Sequence, residues 1–182
     1  MSNSVDHPLS SSLEQQIQRI TSAIHDACTT AQRAPDTVQL LAVTKTHPIE
    51  TIQAAYALGL RRFGENYVQE GVDKIIALHR LIPDNQAIWH FIGPLQSNKT
   101  RSIAEHFAWV HGIDRLKIAQ RLSEQRPVHL PSLNVLIQVN ISDESSKSGC
   151  TPDSALELAL QIIDSPDFTR LNEHTRSHRP RC

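Results

Sequence analysis

No stretch of this sequence is long and apolar enough to span a bilayer, and the first twelve residues are polar, without the apolar core of a signal peptide. Charge of one sign is also missing. The 18 Lys and Arg stand against 19 Asp and Glu, a formal net charge of -1. Electrostatics therefore give no reason to expect a nucleic acid or a membrane surface as partner. Cysteine is scarce: Cys28, Cys150 and Cys182 are widely spaced and form no CxxC pair, which points to free thiols in a reducing cytoplasm. There is no GxGxxG after a strand, no GxxxxGK[ST], no GxSxG and no HExxH. The usual signatures of dinucleotide, nucleotide, serine-hydrolase and zinc-peptidase sites are thus absent. No low-complexity linker divides the chain and no internal repeat is visible, so one domain is expected.

What is present reads as a soluble globular composition of 182 residues, 39% hydrophobic and 20% charged. Leu13, Ile17, Ile20, Ile24, Ala27 and Ala31 recur at steps of three and four, which predicts an amphipathic helix over residues 13–32. Ser10, Ser11 and Ser12 are placed to cap it. The short apolar run Leu40-Leu41-Ala42-Val43 then predicts a buried strand, ending in Thr44 and Lys45 before Pro48. Further strands are predicted over 61–63, 87–92, 107–111 and 134–140. Helices are predicted over 49–58, 68–81, 99–106, 115–125 and 151–164, with Asp114 as the cap of the fourth. One leading helix followed by five strand–helix units implies an α/β fold with parallel connections.

Polar residues gather just after successive strands. Lys45 follows the first; Glu65, Asn66 and Tyr67 the second; His90 and the run Gln96-Ser97-Asn98-Lys99 belong to the third. His111 and Asp114 follow the fourth, and Asn140, Ser142, Glu144, Lys147 and Ser148 the fifth. In a parallel barrel those positions converge on one mouth, where ligands bind. Each has a plain structural alternative. Asn66 is a candidate helix cap, His90 a candidate core histidine and Lys147 a candidate solvated loop charge. Lys45 carries the sharpest chemistry, since a primary amine attacks an aldehyde and holds it as a Schiff base.

The segments Leu41-Ala42-Val43-Thr44-Lys45, Phe63-Gly64-Glu65-Asn66-Tyr67-Val68-Gln69-Glu70, His90-Phe91-Ile92-Gly93-Pro94-Leu95-Gln96-Ser97-Asn98-Lys99 and Val139-Asn140-Ile141-Ser142 through Lys147-Ser148-Gly149 closely resemble the pyridoxal phosphate homeostasis protein family. These are small proteins similar to the barrel domain of alanine racemase. The match runs from about residue 13 to about residue 170. It implies a (β/α)8, TIM-type barrel binding pyridoxal 5'-phosphate (PLP), usually as a cytoplasmic monomer, with the Schiff base on Lys45. It implies that Asn66 lines the cofactor pocket, that His90 and the loop from Gly93 to Lys99 flank the same mouth, and that Lys147 is a second lysine near the entrance. It implies a keeper and carrier of a reactive cofactor, handing it to amines, rather than an enzyme with a settled substrate.

A closed barrel of this kind has eight strands, and five are counted here. The domain is expected over residues 1–171, an incomplete barrel whose first and fifth strands are edges. Residues 172–182 read as a basic, disordered tail. In the family, the segment beyond the position of Arg170 supplies serine, glycine and threonine groups to the cofactor phosphate and an arginine to its pyridine nitrogen. The chain lacks them, as a truncated gene product would, so weak aldehyde trapping is expected rather than tight binding. Two other functions compete: an amino-acid racemase or Schiff-base lyase using Lys45, and a nonfunctional fragment.

Overall fold

The computed structural model describes residues 8–141 and 148–164. A long helix α1 (Pro8–Thr30) and a single 3-10 turn (Pro35–Thr37) precede five strand–helix units. These are β1 (Ala42–Val43) with α2 (Ile49–Ala57), β2 (Arg62–Glu65) with α3 (Val68–Leu81), and β3 (Ile88–Phe91) with α4 (Thr100–His106). They continue with β4 (Trp109–Ile113) and α5 (Leu116–Gln125), then β5 (Asn134–Ile137) and α6 (Pro152–Asp164). All pairings are parallel, and the strands lie in the order β1-β2-β3-β4-β5. Strand order follows chain order without reversal, the arrangement of a barrel wall rather than of a doubly wound sheet. Among the described residues β1 and β5 form the two edges.

The register sorts side chains onto two faces. Ala42, Phe63, Trp89 lie level, as do Glu65, Phe91, Val110 and Val135. Phe63, Phe91, Val110 and Val135 are at most 1% exposed, because this face meets the helices, each of which packs on the next. Phe91 meets Phe107, just after α4, edge to face at 5.5 Å. Burying each such side chain stabilises the fold by about 1.5–3 kcal/mol. The opposite face carries Val43, Gly64, His90, Trp109 and Asn134 in one level row. On that side Val43 is 48% and Leu136 39% exposed.

Several local expectations need correction. Helix α1 starts at Pro8, so it begins before Ser10 to Ser12 rather than at them. The N-cap of α5 is Arg115 with no side-chain cap bond, and Asp114 instead accepts from the Arg115 guanidinium at 3.1 Å. A charged partner one residue away outcompetes the backbone for that carboxylate. Strand β1 is only two residues long, Ala42–Val43, so Leu40 and Leu41 lie before it. Strand β2 runs two residues further than expected, through Glu65, and β5 ends at Ile137 with an isolated parallel bridge at Val139 and Cys150 beyond it. Lys147, the proposed tail over 172–182, Ser142 and Glu144 lie outside the described residues.

Candidate functional site

Lys45 sits in a tight turn immediately after β1 and is exposed. Among the described residues its amine makes no hydrogen bond or ion pair. The turn around it is fixed. Thr44 N–H donates to Gly64 O at 2.9 Å, continuing the ladder, and His47 N–H donates to Thr44 O at 3.1 Å. Thr46 has φ +65, a left-handed conformation that a β-branched residue adopts only when its surroundings impose it.

The restraint comes from behind the sheet. Lys74 of α3 is buried, with its side chain 9% exposed, against Glu65, whose side chain is fully buried. Its ammonium donates to both Glu65 oxygens at 2.9 and 3.1 Å, to Glu70 Oε1 at 2.6 Å and to the Thr44 carbonyl at 2.7 Å. Thr44 Oγ1 donates to Glu65 Oε1 at 2.6 Å, and Thr46 N–H donates to Glu70 Oε1 at 2.6 Å. The Lys74 ammonium beside it holds the Glu70 carboxyl below its ordinary range, against the opposing effect of burial. The sequence reading missed Lys74. Its signal was helical: Gly71, Lys74 and Leu78 recur at steps of three and four on the buried side of α3. A lysine at a core position four residues after a glutamate marks a buried ion pair.

On the other face His90 is buried, stacked on Trp109 at 5.3 Å and 12°. Its Nδ1 lies 2.9 Å from His111 Nε2 and its Nε2 3.4 Å from Arg62 Nη1. A guanidinium only donates, so His90 Nε2 must accept, His90 Nδ1–H donates to His111, and His111 carries its own proton on Nδ1. Burial, with the neighbouring His111 and Arg62 adding, pushes the His90 pKa down from 6.5 to about 3. Burial also lowers that of His111. Both imidazoles are therefore neutral near pH 7.

At the C-terminal end of the sheet a cleft of about 600 Å³ is lined by Asn66 after β2, by Ile92, Gly93 and Pro94 after β3, and by Gln138, Val139, Asn140, Ile141 and Ser148 after β5. Asn66 is no helix cap: the N-cap of α3 is Tyr67, and Asn66 Oδ1 is buried without a hydrogen-bond partner. Gly93 is required there, since a Cβ would stand 2.0 Å from the Asn66 carbonyl oxygen. Of the polar residues expected at the mouth, then, Asn66, Asn140 and Ser148 line the cleft, with Gly93 and Pro94 of the loop after β3. Lys45 follows the adjacent strand, and His90 lies two residues before Ile92, one layer beneath the mouth. Gln138 was not singled out from sequence; it donates to Ser148 O at 3.0 Å and closes the β5 side.

A model of the alanine racemase N-terminal domain family matches residues 6–176. The pyridoxal phosphate homeostasis protein of Vibrio alginolyticus is 56% identical over 159 residues, 87% of this chain and 68% of that protein. That of Vibrio cholerae is 58% identical over 158 residues, covering 87% and 67%. The chain thus spans about two thirds of the length of these curated relatives. PipY of Synechococcus elongatus, solved with PLP bound, superposes with a TM-score of 0.65 at 34% identity, covering 82% of this chain and 66% of PipY. Alanine racemase of Corynebacterium glutamicum, at 15% identity and a TM-score of 0.51 over 71% of this chain and 36% of that one, shares the fold. With a TIM-type wall of parallel strands and this degree of identity, the chain belongs to the pyridoxal phosphate homeostasis protein family, within the alanine racemase N-terminal domain fold.

Proposed function

We propose that this chain binds pyridoxal 5'-phosphate through the amine of Lys45 and serves in the homeostasis of that cofactor, as a keeper that releases it to small amines. The observation that carries this reading is the placement of one exposed, unpartnered primary amine on a rigid turn at the C-terminal end of a barrel strand. Bound there, the cofactor supplies an aldehyde that condenses reversibly with primary amines. The residues present suit such a group. Lys45 offers the nucleophile, Asn66 Oδ1 is a buried acceptor lacking a donor, and the cleft beside it is large enough for a small cofactor. Asn66 orients a donor from the ligand, and Gly93 lets the β2 and β3 loops close on each other. His90 and His111, neutral and hydrogen-bonded to each other, lie on the same face of the sheet beneath the mouth. Cys28 and Cys150 are both free thiols, which suits action in a reducing cytoplasm.

The test is reductive trapping. PLP is added to the chain, the carbon–nitrogen bond is reduced with borohydride, and the modified peptide is identified by mass spectrometry. One modified residue, Lys45, is expected, with the label lost in Lys45→Ala. Label spread over several surface lysines, or undiminished in Lys45→Ala, would overturn the reading.

A further inference from the structure

We propose that Lys74 is a positioning residue for the Lys45 amine, acting through the backbone of the turn that carries it. The inference rests on Lys45 being the attachment point. A buried lysine paired with a fully buried glutamate behind a strand needs a reason, because an apolar pair of similar shape would serve the core at least as well. The hydrogen bonds supply one. Apart from the ion pairs joining Lys74 to Glu65 and Glu70, every bond these side chains make goes to residues 44 and 46. Lys74 takes the Thr44 carbonyl, Glu65 the Thr44 hydroxyl, and Glu70 the Thr46 N–H. Lys45 is thus held by its backbone on both sides, while among the described residues its amine makes no hydrogen bond or ion pair.

The geometry gives a fixed base and a free tip. Thr46, held at φ +65, has every tendency to relax into an ordinary conformation once its N–H is released. Such a relaxation rotates the Lys45 Cα–Cβ direction, which no side-chain partner restrains. Preorganisation of a nucleophile on a rigid support favours attachment by removing the entropy of searching for the productive geometry. Lys74 never touches the aldehyde; it acts on where the amine begins.

Three variants test this in the full chain: Glu70→Ala, which frees the Thr46 N–H; Glu70→Gln, whose side-chain carbonyl still accepts it; and Leu158→Ala. The last removes a buried α6 side chain away from the turn as a control for general destabilisation. The first readout is amide hydrogen exchange at Thr46 without cofactor. The second is the equilibrium constant for trapping PLP at Lys45. Glu70→Ala is expected to accelerate exchange and to weaken attachment by about tenfold, with Glu70→Gln restoring most of both. Lys74→Met, if folded, reproduces the loss. Attachment and exchange unchanged in Glu70→Ala would overturn the inference, as would an equal loss of attachment in Leu158→Ala. A wild-type chain with no adduct at Lys45 overturns the functional reading and this inference together. An intact adduct in every variant overturns the inference alone.

Discussion

Two buried polar clusters stand on opposite faces of the same strands, and they solve burial in opposite ways. Behind the sheet, Glu65, Glu70 and Lys74 are joined as ion pairs and, with the Thr44 hydroxyl, satisfy one another at 2.6 to 3.1 Å. In front of it, His90 and His111 shed charge, becoming neutral imidazoles chained to Arg62 and stacked on Trp109. Charge paired with charge fixes geometry and is costly to break, because each partner left alone is an ion without solvent. Neutral imidazoles impose less direction, and their cost falls due only when pH drops.

Removing one ion separates the clusters most sharply. Lys74→Met leaves Glu65 and Glu70 unpaired and is expected to destabilise the fold by about 3–5 kcal/mol in denaturant titration. Neutralising all three groups (Glu65→Gln, Glu70→Gln, Lys74→Met) should recover most of that, which a simple loss of packing would not allow. Acid comes next. His90 binds its proton more weakly in the folded chain, so between its ordinary 6.5 and about 3 the unfolded state takes up more protons and stability falls as pH falls. Glu70 has a folded pKa below its ordinary 4.5, so its contribution is present above that value and is lost as pH falls through the folded one. A stability profile against pH should therefore flatten between 6.5 and about 3 in His90→Gln, and only below 4.5 in Glu70→Gln. Flattening above pH 4.5 in Glu70→Gln as well would merge the two clusters into one. The smallest effect is Thr44→Val, which removes a single bond to the Glu65 carboxylate and should lower stability by about 2 kcal/mol.

The alternation of strands and helices was legible because each helix shows its apolar stripe plainly; α3 spans residues 68–81 as read from periodicity. Strand limits were less so. Leu40 and Leu41 look like strand, yet pairing at an edge is decided by a neighbour, which no local pattern encodes. Lys45 and Asn66 stand out in the sequence because they follow strands, the one place where polar residues in a barrel converge. Lys74 could not be found that way, since it lies on a helix and reaches the site from behind. The tautomers of His90 and His111 were equally hidden: they follow from Arg62, which is 28 residues away in sequence and adjacent only across the sheet.

The strand order has a consequence for how the chain is made. Because β1 to β5 lie side by side in the order of synthesis, each unit leaving the ribosome meets its structural neighbour already in place. No strand waits for a later one to be inserted between it and its predecessor. Each strand pairs with the one made just before it, so among the described residues the sheet can be assembled in chain order. The Lys45 turn is secured as soon as the second unit arrives, since Glu65, Glu70 and Lys74 all belong to it. The turn that carries Lys45 is thus fixed early, by residues of the second unit alone.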